Sequence, residues 1–164
     1  MKKRVPLIAG NWKMNKTVEE AVSIVGELKS KVADIHDREV LVCPPYVSLV
    51  VMKELLKNSK IKLGAQNMYY EKSGAFTGEI SASMLKSAGC EYVIIGHSER
   101  RQLFGETNES VNKKMAAALA NGLIPIVCVG ETLEQRENNE TFQVIEKQLK
   151  VGLAGLNQQD SSGI

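Results

Sequence analysis

The sequence predicts an α/β fold built on a parallel sheet, and three patterns in its 164 residues lead there. Five short runs rich in β-branched residues are apolar almost throughout instead of alternating, as strands covered on both faces are. Amphipathic segments with apolar spacings of three and four fall between them. Polar residues able to do chemistry collect just after the carboxyl ends of the runs, where parallel α/β folds bind ligands.

VPLIAG from Val5 predicts the first strand. After it, Val18, Ala21, Val22, Val25, Leu28 and Val32 share one helical face, and Thr17 with Glu20 fits a capping box. EVLVCP from Glu39 and KIKLGA from Lys60 predict the second and third strands. The irregular stretch QNMYYEKSGAFTGE, residues 66–79, is too long for a plain connection and holds two tyrosines and a phenylalanine. It reads equally as a functional loop and as a self-packed surface loop. YVIIG from Tyr92 predicts the fourth strand. Val111, Met115, Ala118 and Leu119 then form a helical face that stops at Asn121-Gly122. LIPIVCVG from Leu123 predicts the fifth strand. A last helix begins at Thr132, with Gln135 three residues on, and carries Phe142, Ile145, Leu149 and Leu153. Strand and helix thus alternate five times, the pattern of βαβ units with right-handed crossovers. Residues 155–164, GLNQQDSSGI, read as an irregular polar tail.

The length suits one domain over residues 1–164. A formal net charge of +2, with lysines scattered among glutamates, predicts neither a nucleic-acid nor a membrane partner. No apolar run approaches the length of a membrane span, and the apolar part of MKKRVPLIAG is too short for a signal peptide. Cys43, Cys90 and Cys128 form no CxxC pair. An odd count at wide spacing predicts reduced thiols, a cytoplasmic setting and no zinc site.

At the carboxyl ends, the first strand is followed by Asn11, Trp12 and Lys13 and the third by Gln66 and Asn67. The fourth delivers His97, Ser98 and Glu99, and the fifth Glu131. The second gives way to Cys43-Pro44-Pro45, a rigid turn. Lys13 and His97 would meet on one face and form a pocket for a small anion that needs acid–base help. Plainer readings stand beside this one. A lysine after a strand is more often solvated, and His97 can simply cap SERRQLF. The SERR charges can pair with Glu106 and Glu109, and His36, in DIHDRE, reads as surface. Five strands also describe a flavodoxin-like sheet. A flavin-binding version wants a Ser/Thr-rich phosphate loop where NWKMN stands, and a receiver version wants an aspartate where Gln66 stands, so both fail.

At AGNWKMN (residues 9–15) and IIGHSERR (residues 94–101) the sequence resembles the triosephosphate isomerase family. The resemblance runs on through GAFTGEIS (residues 74–81) and LIPIVCVGE, ending at Glu131, and covers residues 5–155 in order. It implies a (β/α)8 barrel of about 250 residues, of which this sequence supplies five βα units. It also implies a homodimer, through the 66–79 loop, acting in glycolysis and gluconeogenesis. The reaction implied interconverts dihydroxyacetone phosphate and glyceraldehyde 3-phosphate through an enediolate, with no cofactor and no metal.

By resemblance, Lys13 attracts the anionic substrate and Asn11 lies beside it in the pocket. His97 is the electrophile that polarises the carbonyl and moves protons between the two oxygens. Glu99 pairs with the lysine, and Thr77 reaches the partner subunit's site. The roles are physically sensible: donors aimed at a developing oxyanion stabilise it strongly, and a helix start disfavours imidazolium. The family's base glutamate, in a motif reading like YEPIWA, and the lid and phosphate-binding turns that follow have no match in the 164 residues. Glu131, at the end of the fifth strand and next to the vacancy, lacks a fixed pose toward substrate. The chain alone is therefore expected to be inactive and to associate through its open sheet edges, or to be a segment of a longer product. The alternative is a catalytically dead fragment that serves as an interaction or assembly unit.

Overall fold

The computed structural model describes residues 5–156. Five parallel strands pair in the order in which they occur: β1 (Leu7–Asn11), β2 (Glu39–Cys43), β3 (Ile61–Ala65), β4 (Tyr92–Ile95) and β5 (Ile124–Val127). This consecutive order suits a barrel wall, whereas a flavodoxin-like sheet would exchange the first two strands. The register sets Asn11 opposite Cys43 and Ile95 opposite Val127. The carboxyl ends therefore share one rim.

Side chains alternate between two apolar layers. Val42, Ile61, Leu63, Ala65, Val93 and Ile95 pack outward against the helices. Leu41, Cys43, Tyr92 and Ile94 point to the opposite face, joined there by Leu7, Ile126 and Cys128. The expectation of strands covered on both faces holds for β2, β3 and β4. It does not hold for β1 and β5, whose Ile8 and Ile124 are exposed, because each has a strand neighbour on one side only. Packing in the middle of the sheet is tight: a Cβ on Gly64 would lie 2.8 Å from the Cys43 sulfur. Burial pushes the thiols of Cys43 and Cys90 up to about 12, so both act as small core hydrophobes.

The first helix, α1 (Val18–Lys31), starts as its sequence dictates. Glu20 N donates to Thr17 Oγ1 at 3.3 Å, and Thr17 N donates to the Glu20 carboxylate at 2.9 Å. A 3₁₀ turn, Tyr46–Ser48, leads into α2 (Leu49–Leu55), and α3 (Ala82–Ser87) precedes β4. These two are too short to announce themselves by periodicity. After β4 come α4 (Ser98–Leu103) and α5 (Asn108–Ala120). The latter ends at Asn121, with Gly122 at φ 67°.

The final helix is a correction. The segment from Thr132 is two helices, α6 (Leu133–Glu137) and α7 (Thr141–Gly152). Asn139 breaks them at φ 60°, a left-handed conformation that asparagine tolerates better than most residues. Leu133 and Phe142 stand exposed on either side of the break.

The 66–79 loop packs on itself at its base. Tyr69 stacks on Tyr70 at 4.3 Å and meets Phe76 at 4.8 Å, and its N–H donates to Ile80 O at 2.8 Å. Residues 71–79, Thr77 among them, are exposed. His36 is exposed too, beside Lys60. Among the described residues no helix is long and apolar enough to cross a membrane. The QQDSSGI part of the tail lies outside the described residues.

Candidate active site

The site grows from the ends of β1 and β4. Beyond Asn11 the chain turns sharply, with Trp12 N donating to Cys43 O at 3.1 Å. Lys13 N donates to Asn11 Oδ1 at 3.0 Å, and Lys13 adopts φ 55°. This left-handed backbone is rare for a residue with a side chain. It aims the ammonium across the strand ends, where Nζ lies 2.7 Å from Glu99 Oε1.

At the end of β4, Gly96 takes φ 75° and has no room for a side chain: a Cβ would stand 2.8 Å from Arg101 Nη2. Arg101 braces this turn, donating to Gly96 O at 2.8 Å, Asn108 Oδ1 at 2.7 Å and Cys128 O at 3.3 Å. His97 is thereby set at the start of α4, where its Nδ1 accepts from Glu99 N at 3.3 Å. Glu99 Oε2 is 3.6 Å from the same nitrogen, outside hydrogen-bond reach. An Nδ1 that accepts a backbone N–H carries no proton, which leaves Nε2–H as the donor of a neutral ring. Capping and chemistry are therefore not rival roles for His97, since the cap selects the tautomer.

Asn11, Lys13, His97 and Glu99 line one pocket of about 240 Å³, as the strand-end reading expects. Gln66, Asn67 and Arg100 line it as well. Thr77 does not line it, and neither does Glu131. Glu131 instead accepts from Thr141 Oγ1 at 3.2 Å and lies 3.6 Å from Arg136 Nη1, in a separate cavity beside Phe142. Of the SERR charges, Arg100 reaches Glu106 at 3.5 Å, whereas Arg101 turns to Asn108 and not to Glu109. A larger groove of about 480 Å³ runs beside α5, but four of its ten lining residues are alanines and its Glu71, Lys72 and Lys113 are exposed. It gathers no acid–base group of the kind His97 supplies.

Two contributions were not legible in the sequence. Tyr46, at the pocket's edge, donates its hydroxyl to Asn67 O at 2.5 Å. Beneath the site, Lys114 bonds Glu106 and, at 2.8 Å, Asn67 Oδ1, with all three residues buried. Alternation of charge along α5 gives no hint that one of its lysines faces inward.

The Lys13 ammonium, bonded to Glu99, holds that carboxyl below its ordinary value of 4.5. A carboxyl with a depressed folded-state pKa stabilises the fold above its unfolded value and loses that contribution as pH falls through the folded value. Glu99→Gln is thus expected to melt slightly lower than the parent chain near neutral pH. The gap should close in acid, which paired thermal melts across pH 7 to 2 would read.

Comparison with known proteins agrees with this geometry. The family model for triosephosphate isomerase matches residues 6–164. The triosephosphate isomerase of Endomicrobium trichonymphae is 60% identical over 159 residues, which are 97% of this chain and 64% of that protein. The Clostridium botulinum (strain ATCC 19397 / Type A) enzyme is 58% identical over 156 residues, 95% of this chain and 62% of its own length. The crystal structure of triosephosphate isomerase from Bartonella henselae superimposes with a TM-score of 0.89 at 40% identity, covering 96% of this chain and 65% of that one. The chain thus spans just under two thirds of the length of these relatives, as five βα units of a (β/α)8 barrel. With the matched residues running through both strand-end motifs, the chain belongs to the triosephosphate isomerase family.

Proposed function

We propose that this chain supplies the electrophilic half of a site that interconverts dihydroxyacetone phosphate and glyceraldehyde 3-phosphate. The observation that carries the reading is the convergence of Lys13, Asn11 and a tautomer-fixed His97 on one pocket. An enediolate bears negative charge on oxygen. A neutral imidazole donating Nε2–H and an ammonium across the pocket stabilise such charge, most strongly where water is excluded. His97 polarises the carbonyl and moves a proton between the two oxygens, Lys13 draws in the phosphorylated substrate, and Asn11 holds the Lys13 backbone. Glu99 holds the ammonium in place. It is the one carboxylate among the residues that line the pocket, and its bond to Lys13 suits it poorly to taking a proton from carbon. A base from outside the described residues completes the reaction.

The same reading makes residues 1–164 one domain of a cytoplasmic, glycolytic and gluconeogenic homodimer that needs no cofactor. Its support is the exposure of the loop carrying Thr77, together with two exposed apolar side chains that line the pocket, Met14 and Phe104. A loop from a second copy would cover these, with Thr77 at its tip.

Complementation tests the proposal. The 164-residue chain is expected to show no isomerisation alone. It should gain activity when mixed with a polypeptide spanning the part of the Endomicrobium relative that it does not match. Turnover by the lone chain that His97→Gln removes would sink the half-site reading. Tight association without turnover would favour a dead fragment that acts only in assembly.

A further inference from the structure

Lys13 holds a left-handed backbone at φ 55° with no glycine to ease it. Asn11 Oδ1 anchors its N–H, but a peptide fixed on one side can still swing on the other. The opposite side is held from a different strand. Gln66, just beyond β3, spends both hydrogens of its amide on backbone carbonyls: Nε2 donates to Lys13 O at 2.9 Å and to Cys43 O at 2.8 Å. The orientation of the amide is forced, because both neighbours are acceptors and only the NH₂ end can serve two of them. Cys43 O also receives Trp12 N at 3.1 Å. One carbonyl at the end of β2 thus joins the β1 turn and the β3 end.

We propose that Gln66 is a positioning residue that clamps the left-handed backbone of Lys13 and so directs its ammonium onto Glu99 and into the pocket. The residues nearest to it in shape serve less well at that place. Glutamate would set a carboxylate against two carbonyl oxygens, methionine has the length but no donor, and asparagine is one methylene too short to reach both. Without the clamp, the Lys13 peptide relaxes toward the right-handed or extended regions that suit a side chain. Its Cβ direction then changes, and the 2.7 Å contact to Glu99 is lost. The inference deepens the isomerase reading by naming what positions its lysine. Its test reads only conformation and charge, so it stands or fails apart from turnover.

The experiment uses the full chain and Gln66→Met. The three-bond HN–Hα coupling of Lys13 reports its φ, and the carboxyl carbon shift of Glu99 reports its titration. In the parent chain Glu99 titrates below the ordinary carboxyl value because of Lys13. In Gln66→Met that titration should move up toward the ordinary value, and the Lys13 coupling should leave its left-handed value. Glu54, whose carboxyl is lowered by Lys57 on another face, should not move. Unchanged coupling and an unmoved Glu99 in a folded Gln66→Met chain would overturn the proposal. A double-mutant cycle gives an independent reading. Glycine at position 13 removes the conflict that the clamp opposes, so Gln66→Met should lower the melting temperature less in a Lys13→Gly background than in the parent. Equal losses in both backgrounds would mean that Gln66 acts only through Cys43, and would refute the clamp. If Gln66→Met does not fold, Gln66→Asn, which reaches one carbonyl at most, carries the same cycle with the same two outcomes.

Discussion

Lys114→Met is expected to destabilise the fold by about 3–5 kcal/mol, a large share of what a domain of this size possesses. The magnitude follows from what the substitution leaves behind. The Lys114 and Glu106 side chains are 6% and 2% exposed, and the ammonium bonds both Glu106 Oε1 and Asn67 Oδ1. Removing it strands a carboxylate in the interior. Among the described residues the other Glu106 oxygen has no hydrogen-bond partner, for Arg100 Nε lies 3.5 Å away in ion-pair range but without hydrogen-bond geometry. That single cation cannot replace a direct bond. The double variant Lys114→Met with Glu106→Leu should recover most of the loss, because a buried ion pair exchanged for apolar groups is often close to neutral. Urea unfolding of the parent, both single variants and the double variant measures this. A Lys114→Met chain as stable as the parent would show that water or Arg100 already neutralises Glu106.

The cluster also shows where reading the sequence stops. Strands were legible because β2, β3 and β4 are largely buried on both faces and so run apolar but for Glu39 and Lys62. The capped starts of α1 and α6 were legible because a threonine and its partner three residues on act locally. That Lys13, Asn11, His97 and Glu99 share one rim was legible because a parallel sheet gathers its strand ends, and the register does bring those ends level. Lys114 was not found, since its inward face depends on Glu106 and Asn67, which lie on a loop and a different strand end. The division at Asn139 was missed for a related reason. Between Leu133 and Phe142 the sequence holds no apolar residue, so no periodicity marks the turn Asn138–Glu140, with Asn139 left-handed, that separates α6 from α7. Arg101 is the converse case. Its charge suggested a helix-surface partner, yet its planar donors are spent on two carbonyls and an asparagine that hold the His97 turn.

In the complemented enzyme, His97→Gln is expected to lower kcat by about 10²–10⁴-fold while KM changes little. Glutamine keeps an amide N–H that can reach into the pocket, so part of the polarising bond survives. What it lacks is a nitrogen that can both give and receive a proton near neutral pH. In the proposed mechanism Nδ1 is already committed to Glu99 N, which leaves Nε2 to exchange its proton with the substrate oxygens. On the proposed reading, substrate capture rests on Lys13, whose ammonium the substitution does not touch, and this separates the two parameters. Lys13→Met should act the other way round, with KM rising along with the loss of rate, since the charge that meets the phosphorylated substrate is gone. Measuring kcat and KM for both variants after complementation therefore assigns proton movement and anion capture to different residues. A His97→Gln enzyme that loses affinity but keeps its turnover would transfer the proton work elsewhere and leave His97 as a cap alone.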